Sequence, residues 1–362
     1  MSDTSKFRSV AIADRLIGLS ISYEPENLLA RGLGWEHLRE LLVRLARPLL
    51  RHSGSLAYGG HWKDTPDNFT FELLRLVSAE RLDTSVPDSS GPPKAVGQLF
   101  SYSAWPAYLS IPRSVEGQWM NCCRVLRISQ SRAGLKRGDQ LSAEDLAKMP
   151  ANPDKLTKEE VDRLPPEDRE RIERLAFNSA VTLSAMRRMA MEEWFLTVGD
   201  LTRERVPPIA TRIALGGRLR GYAGFAPGIF EEAYRTMKEG KPLYLLGGFG
   251  GAAEVLAKAI TADTTPAEAT LDWHLKNNPK LCDLQASGEK FGMPEDSLST
   301  KQIFEGLAEQ IELARANPAS VLKTGLDDAR TRELLQTRSI DSVVSLVFVG
   351  FKNNNKLPDI VV

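Results

Sequence analysis

A chain of 362 residues can hold one large α/β domain or two ordinary ones, and either has room for a sizeable core. Lysine plus arginine and aspartate plus glutamate both number 47, so no net positive field holds nucleic acid by its phosphates; DNA and RNA are excluded as main partners. The three cysteines, Cys122, Cys123 and Cys282, offer neither a disulfide framework nor metal-ligand spacing, and no secretory segment or membrane-length apolar run is seen. The chain therefore reads as cytoplasmic, with no membrane partner, metal or cofactor called for.

In chain order, Leu16 to Ser22 is a short apolar run ending in small hydroxyl residues and reads as a first strand. Trp35, Leu38, Leu42, Leu45 and Leu49 form one stripe of a helix that Gly54 terminates. Ser55 to Tyr58 reads as a buried strand running into Gly59-Gly60, and a second helix covers Asn68 to Ser78. Residues 83–95 form a Pro/Ser/Gly/Asp loop, and a strand follows at Val96 to Tyr102. Residues 130–165 are charged and proline-bearing with no apolar stripe, and read as an insertion. Pro165-Pro166, with Glu167 and Asp168 behind it, marks a helix start and predicts a helix to Phe195.

Arg212 to Leu215 is the next strand and ends at Gly216-Gly217, after which Pro227-Gly228 opens a helix through Lys238. Leu243 to Leu246 then ends at Gly247-Gly248-Phe249-Gly250-Gly251, with a helix to Ile260. This alternation predicts an α/β fold, a Rossmann-like parallel sheet with helices on both faces, a helical insertion and a C-terminal extension. Residues 1–262 form the expected domain, with 130–165 inserted, and 263–362 the extension. Within the extension Ile303 to Ala314 is amphipathic, and Ser342 to Phe351 is a strand or a helix. Leu334-Leu335 and Val343, Val344, Leu346, Val347 and Phe348 are apolar enough to pack back on the sheet or to make an oligomer interface.

Chemistry is expected at the strand-to-helix junctions. Glycines there let backbone approach a ligand, and the following helix offers unpaired amides and a positive dipole end, for which phosphate is the natural guest. Gly59-Gly60, Gly216-Gly217 and Gly247 to Gly251 each follow an apolar strand, and in a doubly wound sheet the carboxyl ends of the strands share one edge. Neither a GxGxxG fingerprint with its downstream acid nor a phosphate loop of the GxxxxGK[ST] type stands in the right context, which disfavours a dinucleotide oxidoreductase or a P-loop NTPase.

In this order of signals the chain resembles the SLOG superfamily, which includes the Lonely Guy cytokinin-activating enzymes and sensor domains of bacterial antiphage systems. Gly18-Leu-Ser-Ile-Ser22 is followed by Leu56-Ala-Tyr-Gly-Gly60, similar to the family's first strand and its Tyr-Gly-Gly turn. Lonely Guy enzymes place an arginine on a helix ahead of a strand ending PGGxGTxxE. Here Met186-Arg187-Arg188 precedes Ile213-Ala-Leu-Gly-Gly217, and Pro227-Gly-Ile-Phe-Glu-Glu232 supplies the acidic helix start. Between them Arg218-Leu-Arg-Gly-Tyr-Ala-Gly-Phe-Ala226 replaces a tight turn, a departure that favours the sensor branch over the phosphoribohydrolases. A second register matches Leu246 to Glu254 to the same motif; the first keeps the arginine, glycine pair and acids in the family's order and is preferred.

The resemblance implies a nucleotide, ADP-ribose or cyclic ADP-ribose type of ligand serving as an antiphage defence signal, and a homo-oligomer; with no effector segment recognisable in the sequence, the effector is expected to be a separate protein or the chain's own assembly. It also sets the candidate residues: Ser20, Ser22, Gly59, Gly60, His61, Arg187, Gly216, Gly217, Arg218, Gly228, Glu231, Glu232, Gly247, Gly248, Phe249, Gly250 and Gly251 for binding. Arg187 and Arg188 are neighbours pointing about 100° apart on a helix, so only one faces the ligand. Arg220 is a further cationic candidate beside Arg218, and Phe249 is a candidate for stacking on a base. Two function classes remain: a binding module, and an N-glycosidic hydrolase in which Glu231 or Glu232 stabilises a sugar cation while Arg187 holds phosphate.

Overall fold

The computed structural model describes residues 15–63, 65, 68–84, 97–153, 156–198 and 202–355. Most of the loop expected at 83–95, and Val96, lie outside them. The first half runs β1 (Leu16–Ile21), α1 (Pro25–Leu29), α2 (Trp35–Arg51), β2 (Ser55–Tyr58), α3 (Phe69–Thr84), β3 (Leu99–Ala104), α4 (Arg113–Trp119), β4 (Cys123–Ile128), α5 (Ala143–Ala147), α6 (Lys158–Asp162) and α7 (Pro166–Met189). It continues with β5 (Trp194–Val198), β6 (Thr202–Val206), β7 (Ile209–Leu215), α8 (Gly228–Lys238), β8 (Leu243–Leu246) and α9 (Gly251–Thr261). The last six helices are α10 (Leu271–Asn277), α11 (Pro279–Phe291), α12 (Thr300–Ala316), α13 (Pro318–Leu322), α14 (Asp328–Gln336) and α15 (Ile340–Asn355).

Six strands form one sheet in the order β4-β3-β2-β1-β7-β8, every neighbouring pair parallel. The period of two along each strand sends alternate side chains into two separate cores. Leu16, Ala57, Phe100, Ala214, Leu243 and Leu245 meet α7, α8, α9 and α12 on one face. Ile17, Leu19, Ile21, Leu56, Ile213 and Tyr244 meet α2, α3, α14 and α15 on the other. The chain moves from β1 outward to β4, then returns through α7 to lay β7 on the opposite side of β1. The order thus reverses between β1 and β7, and at their carboxyl ends the connections part to opposite faces and leave a crevice.

Three elements depart from the sequence expectation. β4 is an edge strand whose Arg124 and Arg127 are tied off by Glu204 and Glu116, and these charges break its apolar alternation. The helix expected to reach Phe195 stops at Met189, and the chain turns into an antiparallel ribbon, β5–β6. Residues 130–165 do carry core contacts. Ala133 and Leu135 are buried in the α7-side core, Leu141 is buried, and the Gln130 amide bonds both backbone groups of Leu141 while accepting from Asn178 of α7.

The segment after residue 262 closes both faces. Ile303, Phe304, Leu307 and Ile311 enter one core, while Leu334, Val343, Val344, Val347 and Phe348 enter the other, where Phe351 stacks on Tyr244 at 5.1 Å between ring centroids. Residues 342–351 are helical. Among the described residues no helix is long and apolar enough to cross a membrane.

Candidate functional site

The turns after β1, β2, β7 and β8 all leave the same edge of the sheet, because the strands are parallel. They are not equally open. Gly216 and Gly217 have φ of +70° and +92°, a region where an L side chain is strained, and a Cβ on Gly216 would overlap the Ser22 carbonyl. The β1 and β7 turns thus touch directly at the switch point. Arg218 Nε donates to Glu24 Oε1 at 3.1 Å, and Ser22 Oγ donates to the same oxygen at 3.2 Å, tying the rims together.

The turn after β8 is filled. A Cβ on Gly247 would overlap Leu335 O, and one on Gly248 would overlap Thr337 O, so these glycines admit the end of α14. Phe249 is 1% exposed inside the second core, out of reach of a base. Gly251 backs onto Gly216 and Gly217, whose carbonyls accept from the Ala253 and Ala252 amides, and Gly250 lies against Arg31, which pairs with Glu254. The first amides of α9 are therefore spent on the β7 turn instead of being offered to a ligand.

Opposite β1, α7 and α8 bring their polar residues together over the sheet. Glu231, in the first turn of α8, is 0% exposed and receives Arg187 Nη1 at 2.6 Å, Ser184 Oγ at 2.6 Å and Arg235 Nη2 at 2.9 Å. Burial disfavours its charge, but the Arg187 and Arg235 guanidiniums outweigh that and hold its carboxyl below the usual range. Arg187 likewise keeps its proton more firmly than usual: burial opposes the charge, and Glu231 and Glu232 overcome it. Its guanidinium rests on the chain entering α8, 3.1 Å from where a Cβ on Gly224 or Gly228 would stand, and its buried Nε has no hydrogen-bond partner.

Glu232 faces the crevice with 19% of its side chain exposed, 3.8 Å from Arg187 Nε and 3.3 Å from Arg212 Nη1. Burial, reinforced by the Glu232 charge, pushes the nearby Tyr58 phenol upward, and Tyr58 donates to Ile21 O at 3.2 Å. Ser20 Oγ accepts from Arg212 at 2.7 Å. On the β2 turn Gly59 is exposed and its Cα faces Met186 of α7, while Gly60 is held small by the Tyr58 ring and by Thr70, whose buried Oγ1 has no partner. His61 is exposed, its Nδ1 accepting from Lys63 N and lying 3.2 Å from Asn68 Nδ2.

The structure therefore gathers Ser20, Ser22, Gly59, Gly60, Arg187, Gly216, Gly217, Gly228, Glu231 and Glu232 around one crevice, with Arg218 on its rim and His61 on the adjoining turn. Arg188 turns away to Glu192 and Asp296, and Arg220 lies on the Trp273 ring with a bond to Asn277. A cavity at the far end of α8 is lined by Arg188, Glu192, Tyr234, Arg235, Lys238 and Asp296 among others, and of the residues expected from sequence it holds only Arg188, the alternative to Arg187.

Arg212, Arg235, Ser184 and Tyr58 were missed by the sequence reading. Arg212 had a signal: a single charge inside the apolar run Ile209 to Leu215 demands a buried partner. It is 4% exposed and donates to Ser20, to Thr236 Oγ1 at 3.0 Å and to Met191 Sδ at 3.6 Å, and burial, with Arg187 and Arg235 nearby, lowers its pKa.

This is a doubly wound α/β sheet whose switch point, the place where such sheets commonly take ligands, is lined by glycine turns and buried arginines. A family model described as SLOG cluster2 matches residues 11–334, and the chain belongs to the SLOG superfamily, whose domains bind or process nucleotide-derived ligands. No curated protein matches the chain.

Proposed function

We propose that this chain binds a nucleotide-derived ligand in the crevice between β1 and β7 without cleaving it. The observation that carries this reading is the state of Glu231. A carboxylate that stabilises a sugar cation must face the sugar, whereas Glu231 has no exposed surface and both its oxygens are taken by Arg187, Arg235 and Ser184. Arg187, with Nε unpaired beside the glycine-lined start of α8, supports anion recognition by charge-assisted hydrogen bonds. Nucleotides, ADP-ribose and cyclic ADP-ribose fit this chemistry, and a defence signal read by self-association or by a separate effector is the biological role in keeping with it.

Glu232 retains exposed surface at the crevice and is the residue through which a hydrolase reading would have to work. Incubating the protein with AMP, NAD and ADP-ribose, then analysing both the bound and the free fractions, separates the two. The expected result is bound, unchanged ligand. Release of adenine or nicotinamide by the unmodified protein, lost in Glu232→Gln, would replace the binding reading with the hydrolase.

A further inference from the structure

The crevice carries an unequal charge count. Arg187, Arg212 and Arg235 are buried within one connected cluster whose carboxylates are Glu231 and Glu232, so three guanidiniums face two carboxylates. Outside the cluster, Arg218 pairs with Glu24, and Lys241 lies within electrostatic reach of Arg212 on one side and of Glu239 and the Arg188-bonded Glu192 on the other. One positive charge is left over. The only polar atom of these three arginines buried without a partner, among the described residues, is Arg187 Nε, and it lies 3.8 Å from Glu232 Oε1. An anion oxygen that accepts from Nε therefore sits beside a carboxylate.

From this we infer, resting on the binding reading above, that the phosphate seated at Arg187 carries a single negative charge, as in a phosphodiester or an internal pyrophosphate, and is not a terminal phosphomonoester. A singly charged phosphate takes the unpaired Nε proton and balances the excess guanidinium. A phosphomonoester brings a second charge that meets no further cation and faces Glu232. The start of α8 adds only about half a positive charge, short of what that second charge needs. A like charge within contact range typically shifts a protonation equilibrium by one unit or more, so the doubly charged form is disfavoured by about tenfold or more.

The test compares three probes by calorimetric titration: AMP, the 5′-methyl ester of AMP, which differs by one methyl group and one charge, and ADP-ribose, whose phosphates are both internal. At pH 8 the ester is expected to bind about tenfold tighter than AMP. Lowering the pH through about 6, where the second phosphate proton returns, is expected to bring AMP up to the ester. The ester keeps its charge throughout, so it is the reference for any pH effect that acts on both probes alike, and the Glu232→Gln comparison is made at one pH. In Glu232→Gln the gap at pH 8 is expected to close to about twofold or less, because the facing charge is gone. ADP-ribose binding tighter than the ester assigns the internal pyrophosphate as the source of the charge; the reverse assigns the diester. AMP binding tighter than its ester at pH 8 overturns this inference and leaves the binding reading intact. Failure of all three probes to bind overturns that reading itself.

Discussion

Glu231 and Glu232 are adjacent in sequence and opposite in circumstance, and the difference follows from one helical step. An interval of about 100° turns Glu231 into the α7–α8 interface and Glu232 toward β1 and the crevice. The sequence reading kept both as equal candidates because acids in a first helical turn satisfy the dipole wherever they point. Arg212 was legible as an anomaly in an apolar strand, but its partners Ser20 and Glu232 come from elements brought together only by the β1–β7 pairing. Glycines were the least legible, since Gly217 and Gly248 look alike in sequence. Gly217 makes room for the Ile229 side chain of α8, and Gly248 for the backbone of residues 336 and 337. At this scale Glu231→Gln is expected to lower unfolding free energy by about 3 kcal/mol in urea titrations at neutral pH, because it leaves Arg187 and Arg235 short of a buried counter-charge. A change below the error of those titrations would show that the clamp is not holding α7 to α8.

At the scale of elements, the connection from β7 to α8 is longer than a tight turn and is held in place by helices from the far end of the chain. Asn278 Oδ1 accepts from Gly221 N at 3.1 Å, and Asn278 Nδ2 donates to Leu219 O at 3.3 Å. The Tyr222 hydroxyl lies 3.1 Å from His274 Nδ1. The His274 ring is 0% exposed, and its Nε2 sits 2.9 Å from Glu268 O, so a neutral ring donates there and accepts from Tyr222. Burial, working against the Glu268 carbonyl and charge, lowers its pKa from 6.5 to about 4. The sign follows directly: an unfolded chain takes up this proton below pH 6.5 while the folded chain refuses it until about 4. The contribution is complete above 6.5 and shrinks as the pH falls toward 4. Unfolding free energy is expected to drop by roughly 2 kcal/mol between pH 7 and pH 5 from this group alone. The measurement is a set of denaturant curves across that range with His274→Gln as control, and an identical slope in the control would remove His274 from the account. Glu231 does not confuse this window, since its stabilisation is lost only at more acid pH, below its ordinary value of 4.5.

For the molecule as a whole, the positions of the central strands and the parallel sheet followed from sequence further than site detail did. Short apolar runs ending in small hydroxyl residues or glycine identified β1, β2, β7 and β8, the strands that frame the crevice and its neighbour, because these are central or covered on both faces and read as continuous apolar segments. β4 and the β5–β6 ribbon escaped because edge and surface strands tolerate arginine and glutamate, which interrupt the apolar pattern. The apolar residues after position 333 could pack inward or pair with another copy. They pack inward, since Val343, Val347 and Phe351 cover the sheet face that α2 and α3 leave bare beside β8. The six helices after residue 262 thus complete both cores and hold the β7–α8 connection, and the family match runs on to residue 334. On the proposed binding reading, this scaffold presents an intact nucleotide-derived anion to Arg187 at the β1–β7 switch point. A crystal structure of the protein with ADP-ribose tests it most directly. The expected result is an uncleaved ligand whose phosphate oxygen lies about 3 Å from Arg187 Nε, flanked by the turns at Ser22, Gly59 and Gly217. A ligand seated elsewhere on the fold, or only a cleaved sugar phosphate in the crevice, would contradict it.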